Sequence, residues 1–91
     1  MKRFEATVHG HVQGVSFRYY TQREAQRFNL TGWVANQSDG TVFVVAEGTD
    51  ADPAKLLEFL HLGAPAAYVK KVEVQWRQAT GEFYRFSIRN L

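Results

Sequence analysis

Residues 10–18 of the chain read Gly10-His11-Val12-Gln13-Gly14-Val15-Ser16-Phe17-Arg18. Before them, residues 3–9 alternate between apolar and polar side chains, which is the pattern of a strand with one buried face. After them, the apolar residues of 17–28 recur with the spacing of a helix. We therefore predict a loop that leads from a strand into a helix. Its two glycines allow the backbone to turn tightly or to approach a ligand closely.

The chemistry available to this loop favours an anion. The first N–H groups of a helix have no partner within the helix, and the helix dipole adds positive charge at the same end. Arg18 brings a planar cation whose donors match phosphate oxygens. We interpret residues 11–18 as a phosphate-binding loop. Glycine-rich loops also join strands to helices without any ligand, so this stretch by itself leaves both interpretations open.

A second pattern lies downstream and reads Gly32-Trp33-Val34-x-Asn36-x-x-Asp39-Gly40-x-Val42. Together with the loop it resembles the acylphosphatase family, which are small enzymes that hydrolyse carboxyl phosphates. Two further stretches fit this family, namely Gly63-x-Pro65-x-Ala67-x-Val69 and Phe86-Ser87-Ile88. The resemblance covers essentially the whole chain, and two spaced motifs are far more specific than a single glycine motif.

The resemblance implies a metal-independent reaction without a cofactor, in which Arg18 and Asn36 are the catalytic residues. Arg18 would bind the phosphate and stabilise the transition state, and Asn36 would orient the attacking water. Backbone N–H groups would hold the phosphate oxygens at His11, Val12, Gln13, Gly14, Val15, Ser16, Phe17 and Arg18. Gln13 and Val15 are expected to shape the loop through packing and hydrogen bonds. We assign no role to the side chain of Ser16.

Composition and charge narrow the function classes. Of the 91 residues, 45% are hydrophobic and 22% charged, as expected for one globular domain that spans residues 1–91. The absence of cysteine excludes a disulfide scaffold and a thiolate nucleophile. The net charge of +2 is dispersed, so nucleic acid is not an expected partner. No apolar stretch has the length of a membrane span or the character of a signal peptide. With the resemblance, we expect a cytoplasmic monomer, without membrane partners, that acts on a small-molecule acyl phosphate.

The remaining histidines, serines and carboxylates do not suggest a different catalytic site. His9 and His11 lie two residues apart, but no third ligand is visible beside them, so no metal site is predicted. Ser16 has no obvious His–Asp pair, which argues against a serine triad. Asp39 and Asp52 have the surroundings of turn and cap residues rather than those of magnesium ligands.

The predicted elements follow the order strand, helix, strand, strand, helix, strand. Strands are predicted at residues 3–9, 31–36, 41–47 and 69–77, and helices at 17–28 and 53–62. Asp52 is the predicted cap of the second helix, and residues 84–89 are predicted to form a short final strand or an extended tail. This order is the α+β, ferredoxin-like βαββαβ sandwich, a four-stranded, mostly antiparallel sheet with two helices on one face, plus a short C-terminal strand. The acylphosphatase family has this fold, so pattern and resemblance agree.

Many unrelated proteins share this fold, so the fold alone does not decide the function. The first hypothesis is the hydrolase. The alternative is a non-catalytic phosphate-binding or regulatory module that keeps the fold and the loop but has lost turnover. A third and weaker alternative is an RNA-binding domain, although the third strand offers only Phe43 for stacking on a base. The presence of both Arg18 and Asn36 favours the hydrolase.

Overall fold

The computed structural model describes all 91 residues. Its elements, in chain order, are β1 (Lys2–His11), α1 (Phe17–Arg27), β2 (Thr31–Asn36), β3 (Val42–Gly48), α2 (Asp52–Leu62), β4 (Tyr68–Gln78) and β5 (Phe86–Asn90). Neither helix has the length and apolar composition that a membrane crossing requires.

The five strands form one open sheet in the order β4-β1-β3-β2-β5. β1 pairs antiparallel with both β3 and β4, and β3 pairs antiparallel with β2. β5 joins the edge of the sheet and pairs in parallel with β2, so that Asn90 lies opposite Asn36. The predicted α+β, ferredoxin-like fold is confirmed. Residues 86–90 extend the sheet as a fifth strand rather than forming a free tail.

The core lies between the helices and one face of the sheet. Alternate residues of β1 and β3 point to this face, for example Phe4 and Ala46, which lie opposite each other. The helices complete the core with Phe17, Ala25, Leu56 and Leu60. Burying a large apolar side chain contributes roughly 2 kcal/mol, so this face supplies most of the driving force for folding.

The strand β4 buries its apolar residues only in part. Val72 and Val74 pack against the core. Trp76 contacts Phe4 edge-on, with ring centres 5.6 Å apart, but the side chain is 50% exposed. β4 is an edge strand with a single strand neighbour, so less of the molecule is available to cover its side chains.

The observed element bounds differ from the predicted bounds at several points. β1 continues to His11, so this residue belongs to the strand and not to the loop. α1 ends at Arg27, one residue earlier than predicted. The prediction of Asp52 as the cap of α2 is wrong, since the cap is Ala51. The carbonyl of Ala51 accepts the first hydrogen bond of the helix, from the N–H of Lys55 at 3.2 Å, which makes Asp52 the first helical residue.

A polar network centred on Glu47 lies on the other face of the sheet. The side chain of Glu47 is fully buried. Its carboxylate accepts hydrogen bonds from Nη1 of Arg3 at 2.9 Å, from the N–H and hydroxyl of Thr80 at 3.0 Å, and from the N–H of Gly81 at 2.9 Å. Burial by itself would raise the pKa of Glu47, but these hydrogen bonds lower it to about 2. The network anchors residues 79–85, which cross the sheet from β4 at one edge to β5 at the other.

Candidate functional site

Backbone features of glycine and serine determine the path of the loop between β1 and α1. A β-bulge interrupts the pairing of β1 with β4 between His9 and Gly10. Gly10 approaches β4 so closely that a Cβ atom would collide with the carbonyl of Tyr68. Gly14 and Ser16 have φ angles of 73° and 61°, which are left-handed conformations. Bulges of this kind often reorient the chain beside a functional site.

The N–H groups of residues 12–19 are unpaired within the backbone. None of the backbone hydrogen bonds made outside the helices and strands is donated by any of them. For the first residues of α1 this is the usual consequence of having no preceding helical turn. The first turn of α1 also contains no acidic residue, so no side chain neutralises the positive end of the helix dipole. Hydrogen-bond donors and positive charge are therefore concentrated at this end of the helix.

A pocket of about 460 Å³ opens beside these donors. This volume is in the range of sites that bind small molecules. The pocket lies where the loop and the first turn of α1 meet the ends of β2 and β5. Its lining residues are Val12, Gly14, Ser16, Phe17, Arg18, Tyr19, Asn36, Ile88 and Asn90.

Arg18 and Asn36, the two predicted catalytic residues, both line this pocket. Nη1 of Arg18 donates a hydrogen bond to Oδ1 of Asn90 at 3.1 Å. The ion pairs of the structure all involve other residues, so no carboxylate neutralises Arg18. Its guanidinium therefore presents a full positive charge to the pocket.

Asn36 is the last residue of β2 and presents an unused acceptor. Its Oδ1 atom is buried and accepts no hydrogen bond from the protein. Leaving a buried amide oxygen without a donor costs roughly 1–3 kcal/mol, and folded proteins leave few such groups. Asn36, which lines the pocket, therefore carries a polar atom whose hydrogen-bonding capacity the fold does not use.

Gln13 fastens the loop to the turn between β2 and β3. Its Nε2 donates to the carbonyl of Gln37 at 2.8 Å and to the carbonyl of Thr41 at 2.9 Å. The turn is itself held by Oδ1 of Asp39, which accepts from the hydroxyl of Thr41 at 2.6 Å and from its N–H at 3.0 Å. Both hydrogen bonds lower the pKa of Asp39 below its ordinary value, and the bond from the hydroxyl has the larger effect. The contacts fix the loop relative to Asn36, which directly precedes Gln37.

Part of the predicted phosphate-binding stretch does not line the pocket. His11 pairs with Tyr68 at the end of β1 and its side chain is exposed. The side chain of Gln13 turns to the neighbouring hairpin, and Val15 packs against the core. Within the predicted stretch, the residues that line the pocket are Val12, Gly14, Ser16, Phe17 and Arg18.

Sequence reasoning missed three residues that line the pocket, namely Tyr19, Ile88 and Asn90. Phe86, Ile88 and Asn90 occupy every second position of β5. The strand therefore directs all three side chains to the same face, the one that the helices cover. The alternation is visible in the sequence. The position of β5 beside β2 is not, because it depends on pairing between distant segments.

The histidine at position 9 contacts a carboxylate outside the pocket. Nε2 of His9 is hydrogen-bonded with Oε1 of Glu73 on the neighbouring strand β4. No group of three or more His, Asp or Glu side chains lies close enough together to hold a metal ion. The pocket residues are therefore the only candidate site that the sequence analysis and the structure share.

Comparison with known proteins identifies the family. The family model described as Acylphosphatase matches residues 4–88, which is nearly the whole chain. The chain belongs to the acylphosphatase family. An acylphosphatase of Salinibacter ruber is 44% identical over 88 residues, which cover 97% of this chain and 93% of that relative. The resemblance found in the loop and in the Asn36 motif is thereby confirmed.

Two solved structures similar to this chain come from proteins of very different length. The crystal structure of an acylphosphatase from Bacillus subtilis has a TM-score of 0.94 at 37% sequence identity, covering 98% of this chain and 99% of that chain. The crystal structure of full-length HypF, in a phosphate- and nucleotide-bound form, has a TM-score of 0.87 at 27% identity. The match covers 97% of this chain but 12% of HypF, so this fold also occurs within a much longer protein.

Proposed function

We propose that this member of the acylphosphatase family hydrolyses acyl phosphates to a carboxylate and inorganic phosphate. One observation carries the proposal. Arg18, most residues of the stretch 12–19, whose N–H groups are unpaired within the backbone, and Asn36, whose Oδ1 is unused, all line the same pocket. These groups match the needs of phosphoryl transfer to water, which are to hold the phosphoryl group, to offset its charge and to aim the water.

In this proposal the phosphate binds where positive charge and N–H donors coincide. The N–H groups from Val12 to Arg18 surround the phosphate oxygens, and the end of α1 adds its dipole. The Arg18 guanidinium donates a pair of hydrogen bonds to these oxygens. The same contacts strengthen as charge develops in the transition state, so Arg18 contributes to the rate as well as to binding.

Asn36 orients the attacking water. Its Oδ1 accepts one O–H of the water, which directs a lone pair of the water oxygen at phosphorus. A neutral amide does not take up a proton near neutral pH, so the proton passes to a phosphate oxygen of the substrate. The bond between phosphorus and the carboxyl oxygen breaks, and the carboxylate leaves with the electron pair. It needs no general acid, because carboxylates are stable anions at neutral pH.

The acyl part of the substrate lies along the apolar side of the pocket. Tyr19 and Ile88 line the pocket, and they are 54% and 37% exposed. Burying apolar surface is worth about 25 cal/mol per Å². We therefore expect acyl phosphates with a large apolar acyl group to have a lower KM than acetyl phosphate has.

The test follows hydrolysis of an aromatic acyl phosphate by its ultraviolet absorbance in the presence of a metal chelator. We expect the wild type to turn over without added metal or cofactor. Arg18→Ala is expected to lower kcat/KM about a thousandfold and Asn36→Ala about a hundredfold. The matched control is Arg23→Ala, which removes the same charge from the same helix. Arg23 stacks on Tyr20 outside the pocket, so this variant is expected to retain activity.

Different outcomes contradict different parts of the proposal. If the chelator abolishes wild-type activity, the metal-independent mechanism is wrong. If folded wild type binds inorganic phosphate but does not turn over, the non-catalytic phosphate-binding or regulatory module is the better description. If Arg23→Ala loses as much activity as Arg18→Ala, the net charge of the helix matters rather than the position of Arg18.

We further propose that residues 1–91 act as one domain and as a cytoplasmic monomer without nucleic-acid or membrane partners. A single core that includes Phe4 of β1 and Phe86 of β5 supports the proposal of one domain. Light scattering at assay concentration tests the monomer, and cell fractionation tests the location. Binding to RNA that falls steeply with salt would contradict the absence of a nucleic-acid partner.

A further inference from the structure

Asn90 lies in the pocket but outside the residues that match the family model. That match ends at residue 88, whereas Asn90 is the last residue of β5. Parallel pairing sets Asn90 opposite Asn36. Its Oδ1 accepts the hydrogen bond from Nη1 of Arg18 at 3.1 Å, and this is the only side-chain hydrogen bond that Arg18 makes.

Arg18 has a different kind of partner from the arginines that form ion pairs. Arg3, Arg27 and Arg77 each lie within ion-pair distance of a glutamate. A carboxylate both orients a guanidinium and neutralises it. The amide oxygen of Asn90 accepts a hydrogen bond without carrying a net charge. Arg18 is therefore held in place while its positive charge remains available.

We infer that Asn90 is a positioning residue, which holds the Arg18 guanidinium in the pocket and leaves its charge free for the substrate phosphate. The inference rests on the proposed role of Arg18 in binding phosphate. A long arginine side chain has many rotamers, and ordering it during binding costs free energy. The hydrogen bond to Asn90 orders the Arg18 side chain before the substrate binds. Only one donor of the guanidinium is used for this purpose, so the others remain for phosphate oxygens.

Two substitutions at position 90 separate orientation from charge. Asn90→Ala removes the acceptor. Asn90→Asp keeps the size and the acceptor but adds a negative charge that pairs with Arg18. For each variant, kcat and KM are measured with an aromatic acyl phosphate, together with the inhibition constant of inorganic phosphate. The matched control is Arg89→Ala in the same strand, because the Arg89 guanidinium lies 4.8 Å from the ring centre of Trp33, outside the pocket.

Asn90→Ala is expected to raise KM and the phosphate inhibition constant about two- to tenfold, which is the range for immobilising one long side chain. The change in kcat is expected to be smaller. Asn90→Asp is expected to raise both constants further, because its carboxylate competes with phosphate for Arg18. This additional increase should shrink with added salt, since salt screens exposed charges. Arg89→Ala is expected to leave both constants at their wild-type values.

A merely structural role would give the opposite order. The near-isosteric Asn90→Asp would then lie closer to wild type than Asn90→Ala does, and that result would overturn the inference. NMR provides a direct readout through the Nε–H signal of Arg18, assigned by its absence from Arg18→Ala. This signal is expected to broaden in Asn90→Ala, and an unchanged signal would also contradict the inference.

The outcomes distinguish this inference from the proposed function on which it rests. If both Asn90 variants fold by circular dichroism and have the wild-type KM and phosphate inhibition constant, Asn90 does not position Arg18. The proposed function then stands without it. If the wild type neither turns over acyl phosphate nor binds inorganic phosphate, the proposed function is wrong, and the inference is overturned with it.

Discussion

Arg3 and Arg18 lie towards opposite ends of the sheet and are held in opposite ways. Arg3 contacts the carboxylates of Glu47 at 2.9 Å and Glu5 at 3.1 Å, and its side chain is 14% exposed. Its partial burial would lower the pKa of the guanidinium, but the hydrogen bonds and charges of these carboxylates raise it above its ordinary value. Arg18 has one side-chain partner, the neutral amide of Asn90.

The difference separates charge that stabilises the fold from charge that is kept for a ligand. Around Glu47, the opposite charges are paired and the carboxylate is fully hydrogen-bonded, so these contacts contribute to folding. At the pocket, the charge of Arg18 and Oδ1 of Asn36 have no such complement. We therefore expect changes at the Glu47 network to lower stability, and changes at the pocket to lower activity.

The largest effect is expected for Arg18→Ala, and it should fall on activity alone. The substitution should lower kcat/KM about a thousandfold while the free energy of unfolding changes by less than about 0.5 kcal/mol, as for other surface positions. Urea unfolding and steady-state kinetics on the same preparation measure both quantities. A loss of stability as large as that of a Glu47 variant would remove the distinction between the two arginines.

The next largest effect is expected for Glu47→Gln, and it should fall on stability alone. Removing the charge leaves Arg3 without its best partner and leaves the donors of Thr80 and Gly81 facing a poorer acceptor. Breaking a buried ion pair of this kind costs about 3 kcal/mol. Urea unfolding measures the loss, and the folded variant should keep the wild-type KM. A raised KM in fully folded Glu47→Gln would show that the two regions are coupled.

The stabilisation from Glu47 should depend on pH. The pKa of this carboxyl falls from an ordinary value of 4.5 to about 2 on folding, so its stabilisation is fully present above pH 4.5 and is lost as the pH falls towards 2. Glu47→Gln has no such carboxyl. The difference in unfolding free energy between wild type and variant should therefore shrink over this pH range. A difference that stays constant down to pH 2 would show that the charge of Glu47 is not its cause.

The smallest effect is expected for Gln13→Ala, which should lower both stability and substrate affinity. The loss of two hydrogen bonds to the turn should cost about 1–2 kcal/mol, and the released loop should raise KM. Gln22→Ala is the matched control, since Gln22 also donates to a backbone carbonyl, that of Phe86 at 3.2 Å. The control should lose some stability and keep its KM. Equal KM values for the two variants would mean that Gln13 does not hold the loop in its binding geometry.

Much of the fold follows from local patterns. The local sequence predicts β2 at Thr31–Asn36, where it lies, and places the other strands within two residues of their observed bounds. Asp39-Gly40 and Gly63 mark a turn and a helix end because their backbone preferences suit those places. The spacing of the loop and the Asn36 motif was sufficient to indicate the family.

The remaining features depend on contacts between distant parts of the chain. Glu47 follows an apolar run and has the local appearance of a strand end, and its burial depends on Arg3 and on residues 79–85. Asn90 reaches Arg18 because β5 joins the sheet beside β2. Alternation and turn residues describe the neighbourhood of a residue, so they do not predict which strand becomes its partner.

The strand order also has a consequence for the way in which the chain folds. β4 and β5 follow each other in sequence but occupy opposite edges of the sheet, and β5 pairs with a strand from the first half of the chain. Contacts between such distant segments form slowly, because a long stretch of chain must be ordered first. Arg18 and Asn36 belong to segments that are near in sequence, so they can come together early. Ile88 and Asn90 reach the pocket only when β5 pairs with β2. We therefore expect the pocket to be completed in a late step of folding.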